Sequence, residues 1–210
     1  NEFDEKTIKN IKLNLSGFNS LSKERVYDEL LKILDLENFQ KKIISNSHLI
    51  EIFNILFPEF KYIDRLKKNK NILIKKISKD MILAILTIDE TNNHEYFCYK
   101  YNVSNKFREK LHDLSSGISA LNKDKNFFKQ KIKKNLYLHG KELMRDLNLL
   151  SYFKDQNKNQ KNYFKISEDI NNISIPKFPY DGKFLLKKGF SEGKNIGKII
   201  KEIEIKWIDN

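Results

Sequence analysis

The sequence predicts an all-α protein, an elongated multi-helix array ending in a C-terminal helical hairpin unit. Apolar residues recur at three- and four-residue spacing along most of the chain, as one face of a helix requires. Only residues 96–101, Tyr-Phe-Cys-Tyr-Lys-Tyr, have an aromatic, roughly alternating strand character. No neighbouring run offers them a partner, so they are read as helix and loop. Two of the three prolines and four of the seven glycines fall within residues 175–207, in a chain otherwise poor in breakers.

Taken in order, Ile8, Ile11 and Leu15 keep helical spacing until Ser16-Gly17 interrupts them. The next helix has Ser22 as its cap and Glu24 near its positive end, with an apolar stripe of Val26, Leu30, Ile33 and Leu34. Arg25 and Tyr27 lie off that stripe. Phe39, Ile43 and Ile44 continue the pattern, Ser47 is positioned to cap a short helix carrying Ile50 and Phe53, and Pro58 closes the unit. Residues 1–60 are thus expected to form one helical unit.

A body is expected over residues 61–154. It opens with the basic run Lys67-Lys68-Asn69-Lys70, read as a solvated face, and an apolar helix with Ile77, Met81, Leu83, Ala84 and Leu86. Ser104 or Asn105 caps a helix through Phe107, Leu111 and Leu114, and Phe127, Phe128, Ile132, Leu136 and Leu143 line a further pair. Lys129, Lys131, Lys133 and Lys134 crowd the same region. Residues 155–161 are polar throughout and read as a linker to the tail, 155–210.

In the tail, Pro179 and Asp181-Gly182 open a short helix through Phe184, Leu185 and Leu186, and Gly189 ends it as a C′ residue would. A second amphipathic helix runs from Ile196 to Trp207. Lys183, Lys187, Lys188, Lys194, Lys198 and Lys201 surround the turn between them, and free N–H groups at a helix start beside lysines suit a phosphate. A capped hairpin with solvated lysines accounts for the same residues equally well.

The formal net charge of +12 points to a polyanionic partner, although an excess of Lys, Asn, Ile, Tyr and Phe is also what AT-rich coding produces. Only four of the forty basic residues are arginine: Arg25, Arg65, Arg108 and Arg145. Where lysine is the default, an arginine can mark a need for a planar fork of donors. The single cysteine, Cys98, excludes a disulfide framework and suits a reducing cytoplasm. No apolar run has the length of a membrane span. A start at Asn1 and not Met suggests a fragment or a processed chain.

Catalytic patterns are missing. His94 with Cys98 is the nearest approach to a metal-ligand spacing, which falls short of zinc. No Asp-x-Asp occurs, and Glu202-Ile-Glu204 on a helix would turn its two carboxylates about 200° apart. The run Gly189-Phe-Ser-Glu-Gly193-Lys194 is one residue short of a P-loop and follows no buried strand. No Gly-x-Ser-x-Gly supports a serine nucleophile.

Residues 21–34, Leu-Ser-Lys-Glu-Arg-Val-Tyr-Asp-Glu-Leu-Leu-Lys-Ile-Leu, followed by Leu56-Phe-Pro-Glu59, resemble the neck of bacterial tRNA nucleotidyltransferases and poly(A) polymerases. Residues 103–111 and 135–147 resemble the body of that family. Phe178-Pro, Gly182, Gly189, Gly193, Ile196-Gly197 and Trp207 resemble its tail in order. The resemblance implies an upstream catalytic head that uses Mg²⁺ with CTP and ATP, while this chain carries no catalytic residue, metal or cofactor. It implies tRNA or another structured RNA as partner, gripped by shape and phosphate contacts. The expected RNA-binding residues are Arg25, Lys129, Lys133, Lys134, Lys183, Lys187, Lys188, Lys194 and Lys198. The alternatives are a helical DNA-binding domain using the glycine turn as a helix-hairpin-helix and a helical protein-interaction scaffold.

Overall fold

The structure, a computed structural model, describes residues 5–18, 20–69, 77–155, 157–190 and 194–209. Among the described residues every regular element is a helix, so the protein is all-α. One hydrophobic cluster extends from Val26 to Ile170.

Helices α1 (Glu5–Leu13) and α2 (Leu15–Phe18) precede α3 (Lys23–Leu34), which begins where Ser22 Oγ accepts the Arg25 N–H at 3.2 Å. Val26, Leu30 and Leu34 are buried, but Ile33 is 39% exposed. The buried arc centres on Leu30, and three residues along a helix of 3.6 per turn set Ile33 about 60° to one side. Helices α4 (Phe39–Ser45) and α5 (Ser47–Leu56) meet at a corner. The cap there is Asn46, not Ser47. Asn46 holds the extended φ of −128° that a cap needs, and its Oδ1 accepts from His48 N at 3.0 Å and Leu49 N at 3.2 Å.

A 3-10 turn (Ile63–Lys68) leads towards α6 (Lys79–Thr87), the centre of the molecule. Every residue of α6 from Met81 to Thr87 is buried, as expected of a helix apolar on all sides. It packs against α3, the 3-10 turn and the three helices that follow it. The aromatic stretch 96–101 is largely helix α7 (Asn93–Lys100). Phe97 and Tyr101, four apart, share one face, with ring centroids 4.9 Å apart, and Phe60 lies 5.8 Å from Phe97. Helical periodicity thus overrides the aromatic composition.

Ser104 caps α8 (Asn105–Lys123), its Oγ accepting the Phe107 N–H at 3.3 Å. Helix α9 (Ile132–Lys154) lies so close to α8 that a Cβ added at Gly117 would stand 2.6 Å from Leu147 Cδ2. At Gly140, φ 74° and ψ 163° break α9 into two segments. The described residues of 155–161, read from the sequence as a linker, make a corner in which Asn157 N donates to Asp155 Oδ1 at 2.8 Å, and α10 (Gln160–Asn172) folds back along α9. Asn148 Nδ2 donates to Tyr163 O at 3.0 Å and to Ser167 Oγ at 2.9 Å, and Ile170 is fully buried. Residues 173–181 then run without regular structure to α11 (Gly182–Lys187) and α12 (Lys194–Asp209).

Candidate nucleic-acid interface

The tail is specified locally. Asp181 Oδ1 accepts the Phe184 N–H at 2.9 Å and so caps α11. At the other end Gly189 has φ 87°, with Gly189 N donating to Leu186 O at 3.0 Å and Phe190 N to Leu185 O at 3.2 Å. That pair of bonds is a Schellman motif, and it requires the left-handed backbone glycine supplies. Leu185 is buried in the hairpin, and Gly182 of α11 faces Ile196 and Ile200 of α12. The second helix starts at Lys194, two residues earlier than Ile196. The turn residues Ser191, Glu192 and Gly193 and the side chain of Lys194 lie outside the described residues, and with them the phosphate site expected at that helix start.

An aromatic chain ties this unit to the body. Tyr137 of α9 meets Trp207 of α12 at 5.6 Å, Trp207 meets Phe178 at 5.5 Å, and Phe178 continues to Tyr180 and Phe184. The Tyr137 hydroxyl also donates to Glu204 Oε1. Lys133 and Lys134 stand one turn before Tyr137, which itself meets the C-terminal half of α12 through Trp207 and Glu204. The hairpin turn lies at the other end of α12, about 15 Å away by helical rise. The structure therefore separates the expected lysines into two groups.

Lys183, Lys187, Lys188 and Lys198 are exposed, and Lys188 Nζ folds over the Phe184 ring at 5.8 Å. Lys129 and Lys133 are exposed and Lys134 is half-buried. Lys131 pairs with Asp124 at 2.8 Å, and hydrogen bonding from Lys131 holds the Asp124 carboxyl below its ordinary pKa. Arg25 is exposed on α3, which packs on α4 and α6.

Several other cations are structural. Arg65 Nη1 donates to Ile85 O at 2.8 Å and Ile88 O at 2.9 Å at the C-terminus of α6. Lys68 Nζ does the same for α9, reaching the carbonyls of Tyr152 at 2.8 Å, Lys158 at 3.2 Å and Asp155. Lys141 Nζ donates to Asn171 O at 2.7 Å near the end of α10, where Arg145 Nε meets Asn171 Oδ1 at 2.9 Å. A helix C-terminus has orphan carbonyls and a negative dipole end, so it attracts cations. Lys68 is therefore not part of a solvated face, as the run 67–70 suggested. Lys70 lies outside the described residues.

His94 and Cys98 are both buried in α7, where burial lowers the His94 pKa and raises that of Cys98 to about 11. Among the described residues no group of three or more His, Cys, Asp or Glu could hold a metal ion.

Residues 2–64 match the family described as "Probable RNA and SrmB- binding site of polymerase A". None of the curated proteins compared matches the chain. The matched region holds α1 to α5, so an RNA-binding-region sequence related to poly(A) polymerase and nucleotidyltransferase proteins sits at the start of this chain. Of the nine expected RNA-binding residues, only Arg25 falls in it. Lys41 and Lys42 of α4 and Lys6 and Lys9 of α1 are exposed there, and sequence reasoning passed them over.

Proposed function

We propose that this chain is the RNA-binding portion of a tRNA nucleotidyltransferase or poly(A) polymerase, holding structured RNA by shape and phosphate contacts. The observation that carries the reading is the family match over residues 2–64. It agrees with the net charge of +12 and with the exposed lysines on α1, α4 and the tail. A cytoplasmic setting suits that work, and among the described residues no helix is long and apolar enough to cross a membrane.

Nucleotidyl transfer, with Mg²⁺, CTP and ATP, belongs in this reading to a head joined to the chain or acting with it. Addition of CCA to tRNA is the finer form of the proposal, with poly(A) addition as its counterpart. The chain's own part is to bind and orient the RNA.

Fluorescence anisotropy with a tRNA transcript lacking CCA and a B-form DNA duplex of matched length tests the reading. Tighter binding of the tRNA at equal salt is expected, because an A-form acceptor stem presents a different phosphate spacing and 2′-hydroxyls. A preference for the DNA would favour the helix-hairpin-helix reading, and equal weak binding of both would favour an interaction scaffold.

A further inference from the structure

A cleft of about 890 Å³ opens between the end of α8, residues 124–131, the C-terminal part of α9 and α10. Its volume lies in the range of small-molecule sites. Ile118, Leu121, Phe127, Ile132 and Ile166 give it an apolar wall, and Phe128 stands half-buried at its side.

The cations that line it are not equivalent. Lys154 is paired with Glu90 at 3.0 Å. Lys158 Nζ, by contrast, donates to Asn148 Oδ1 at 3.1 Å and Ser151 Oγ at 2.6 Å and lies 5.2 Å from the centre of the Phe128 ring. All three partners are neutral. The Asp155 carboxylate acts on this ammonium through space without forming an ion pair with it. An ammonium largely withdrawn from water with no paired anion is costly, so a fold that keeps one at a cleft has left a place for negative charge. Lys125, Lys129 and Lys165 line the same cleft, are exposed, and have no carboxylate within ion-pair distance among the described residues. Against these four cations stand Asp155, whose Oδ1 already accepts the Asn157 N–H at 2.8 Å, and Asp169. The remaining carboxylates, Glu90 and Asp124, are paired with Lys154 and Lys131.

We propose that this cleft binds one nucleoside monophosphate group, its phosphate on Lys158 and the neighbouring lysines and its base against Phe128 and the apolar wall. The choice of a nucleotide over other phosphates rests on the RNA-binding reading, and the occupant is either a free nucleotide or an unpaired nucleotide of the bound RNA. Burial lowers the Lys158 pKa to about 8, which leaves the ammonium largely protonated at neutral pH.

Calorimetric titration of the chain at low salt with AMP, adenosine and inorganic phosphate tests the site. AMP should bind more tightly than either part alone. Lys158→Met should weaken AMP about tenfold or more, the loss expected for a hydrogen bond from a charged donor. Absence of AMP binding to the wild-type chain, or equal binding to a folded Lys158→Met, overturns the proposal. Should Lys158→Met fail to fold, the exposed double variant Lys129→Ala/Lys165→Ala decides, with unchanged AMP affinity again overturning it. Displacement by AMP of an RNA hairpin with an unpaired loop identifies the RNA's own nucleotide as occupant, and AMP binding without displacement identifies a free one. If the wild-type chain binds AMP but neither tRNA nor hairpin, the functional reading fails and the nucleotide site stands.

Discussion

Lys68 holds Tyr152 twice across 84 residues of chain: its Nζ donates to the Tyr152 carbonyl at 2.8 Å and lies 4.6 Å over the Tyr152 ring. The same ammonium reaches the carbonyls of Asp155 and Lys158, so a single side chain from the 3-10 turn closes the end of α9 and the corner into α10. Arg65, one turn earlier, performs the same service for α6. Part of the positive charge of this protein is thus consumed in holding its helices, and it is not available to a polyanion.

Lys68→Met should therefore destabilise the fold. It removes a charged donor from three carbonyls while preserving the stem over Tyr152, and each such bond contributes about 1.5–3 kcal/mol at most. A loss of about 2 kcal/mol in urea unfolding, with RNA affinity of the folded protein unchanged, is the expected outcome. A change under about 0.5 kcal/mol, ordinary for a surface site, would show that water replaces the ammonium freely.

Lys158 makes stability depend on pH in a calculable direction. Burial lowers its pKa from 10.5 to about 8 in the folded protein. Between those values the unfolded chain binds more protons than the folded one, so this group's contribution to stability rises as pH increases from about 8 to 10.5 and is flat below about 8. The stability difference between wild type and Lys158→Met should grow in favour of wild type over that window, by about 1–3 kcal/mol. Chemical denaturation of both proteins at a series of pH values is the measurement, and a constant difference would place the ammonium in water.

Gly140 combines φ 74° with ψ 163°, a region essentially closed to residues with a Cβ. Space is not the constraint, since an added Cβ there meets nothing within 4 Å. Gly140→Ala should cost about 1–3 kcal/mol. Because Tyr137 and its Trp207 contact lie just before the bend, the emission of the single tryptophan should shift as well. Loss of stability without any change in Trp207 emission would mean that the tail docks independently of the kink.

What was legible in the sequence was local. Ser22, Asp181 and Gly189 act through residues three or four positions away, and the stripe of Val26, Leu30 and Leu34 follows from the helical repeat alone. From the sequence the cap of α5 is expected at Ser47; Asn46 is also a capping residue type, and its extended backbone is what makes it the cap. The role of Lys68 was not legible, because its carbonyl partners lie about ninety residues away and a lysine contacting backbone leaves no pattern in residue type. The same holds for the cleft at Lys158, whose walls come from three helices and a loop. The polar composition of residues 155–161 suggested a linker because polar side chains that fix a corner, such as Asp155 accepting from Asn157 N and Lys158 donating to Asn148 and Ser151, have the same residue types as a solvated linker.

Arg25 is exposed beside the cap of α3, inside the region that matches the RNA-binding family. Arg25→Ala should cost within about 0.5 kcal/mol of stability, as an ordinary surface change does. The same variant should weaken tRNA binding. Full retention of affinity together with a stability loss several times larger would make Arg25 a structural residue.

The tail lysines should act as an electrostatic clamp on phosphates and not as readers of bases. Lys187 and Lys188 are exposed at the end of α11, and Lys194 begins α12 across the turn. Removing one lysine–phosphate pair lowers the slope of log K against log salt by roughly 0.7 to 0.9. Neutralising all three should weaken binding to different tRNAs alike and flatten the salt dependence by about two units if all three touch phosphates. The hairpin should keep its fold, since its geometry rests on the Asp181 cap, the Gly189 turn and buried Leu185. Isotherms at several salt concentrations, with circular dichroism as the folding control, measure both quantities. If the triple variant keeps the parent's slope, the tail is a structural cap, and the RNA-facing charge lies on α1 and α4, where Lys6, Lys9, Lys41 and Lys42 are the next residues to neutralise.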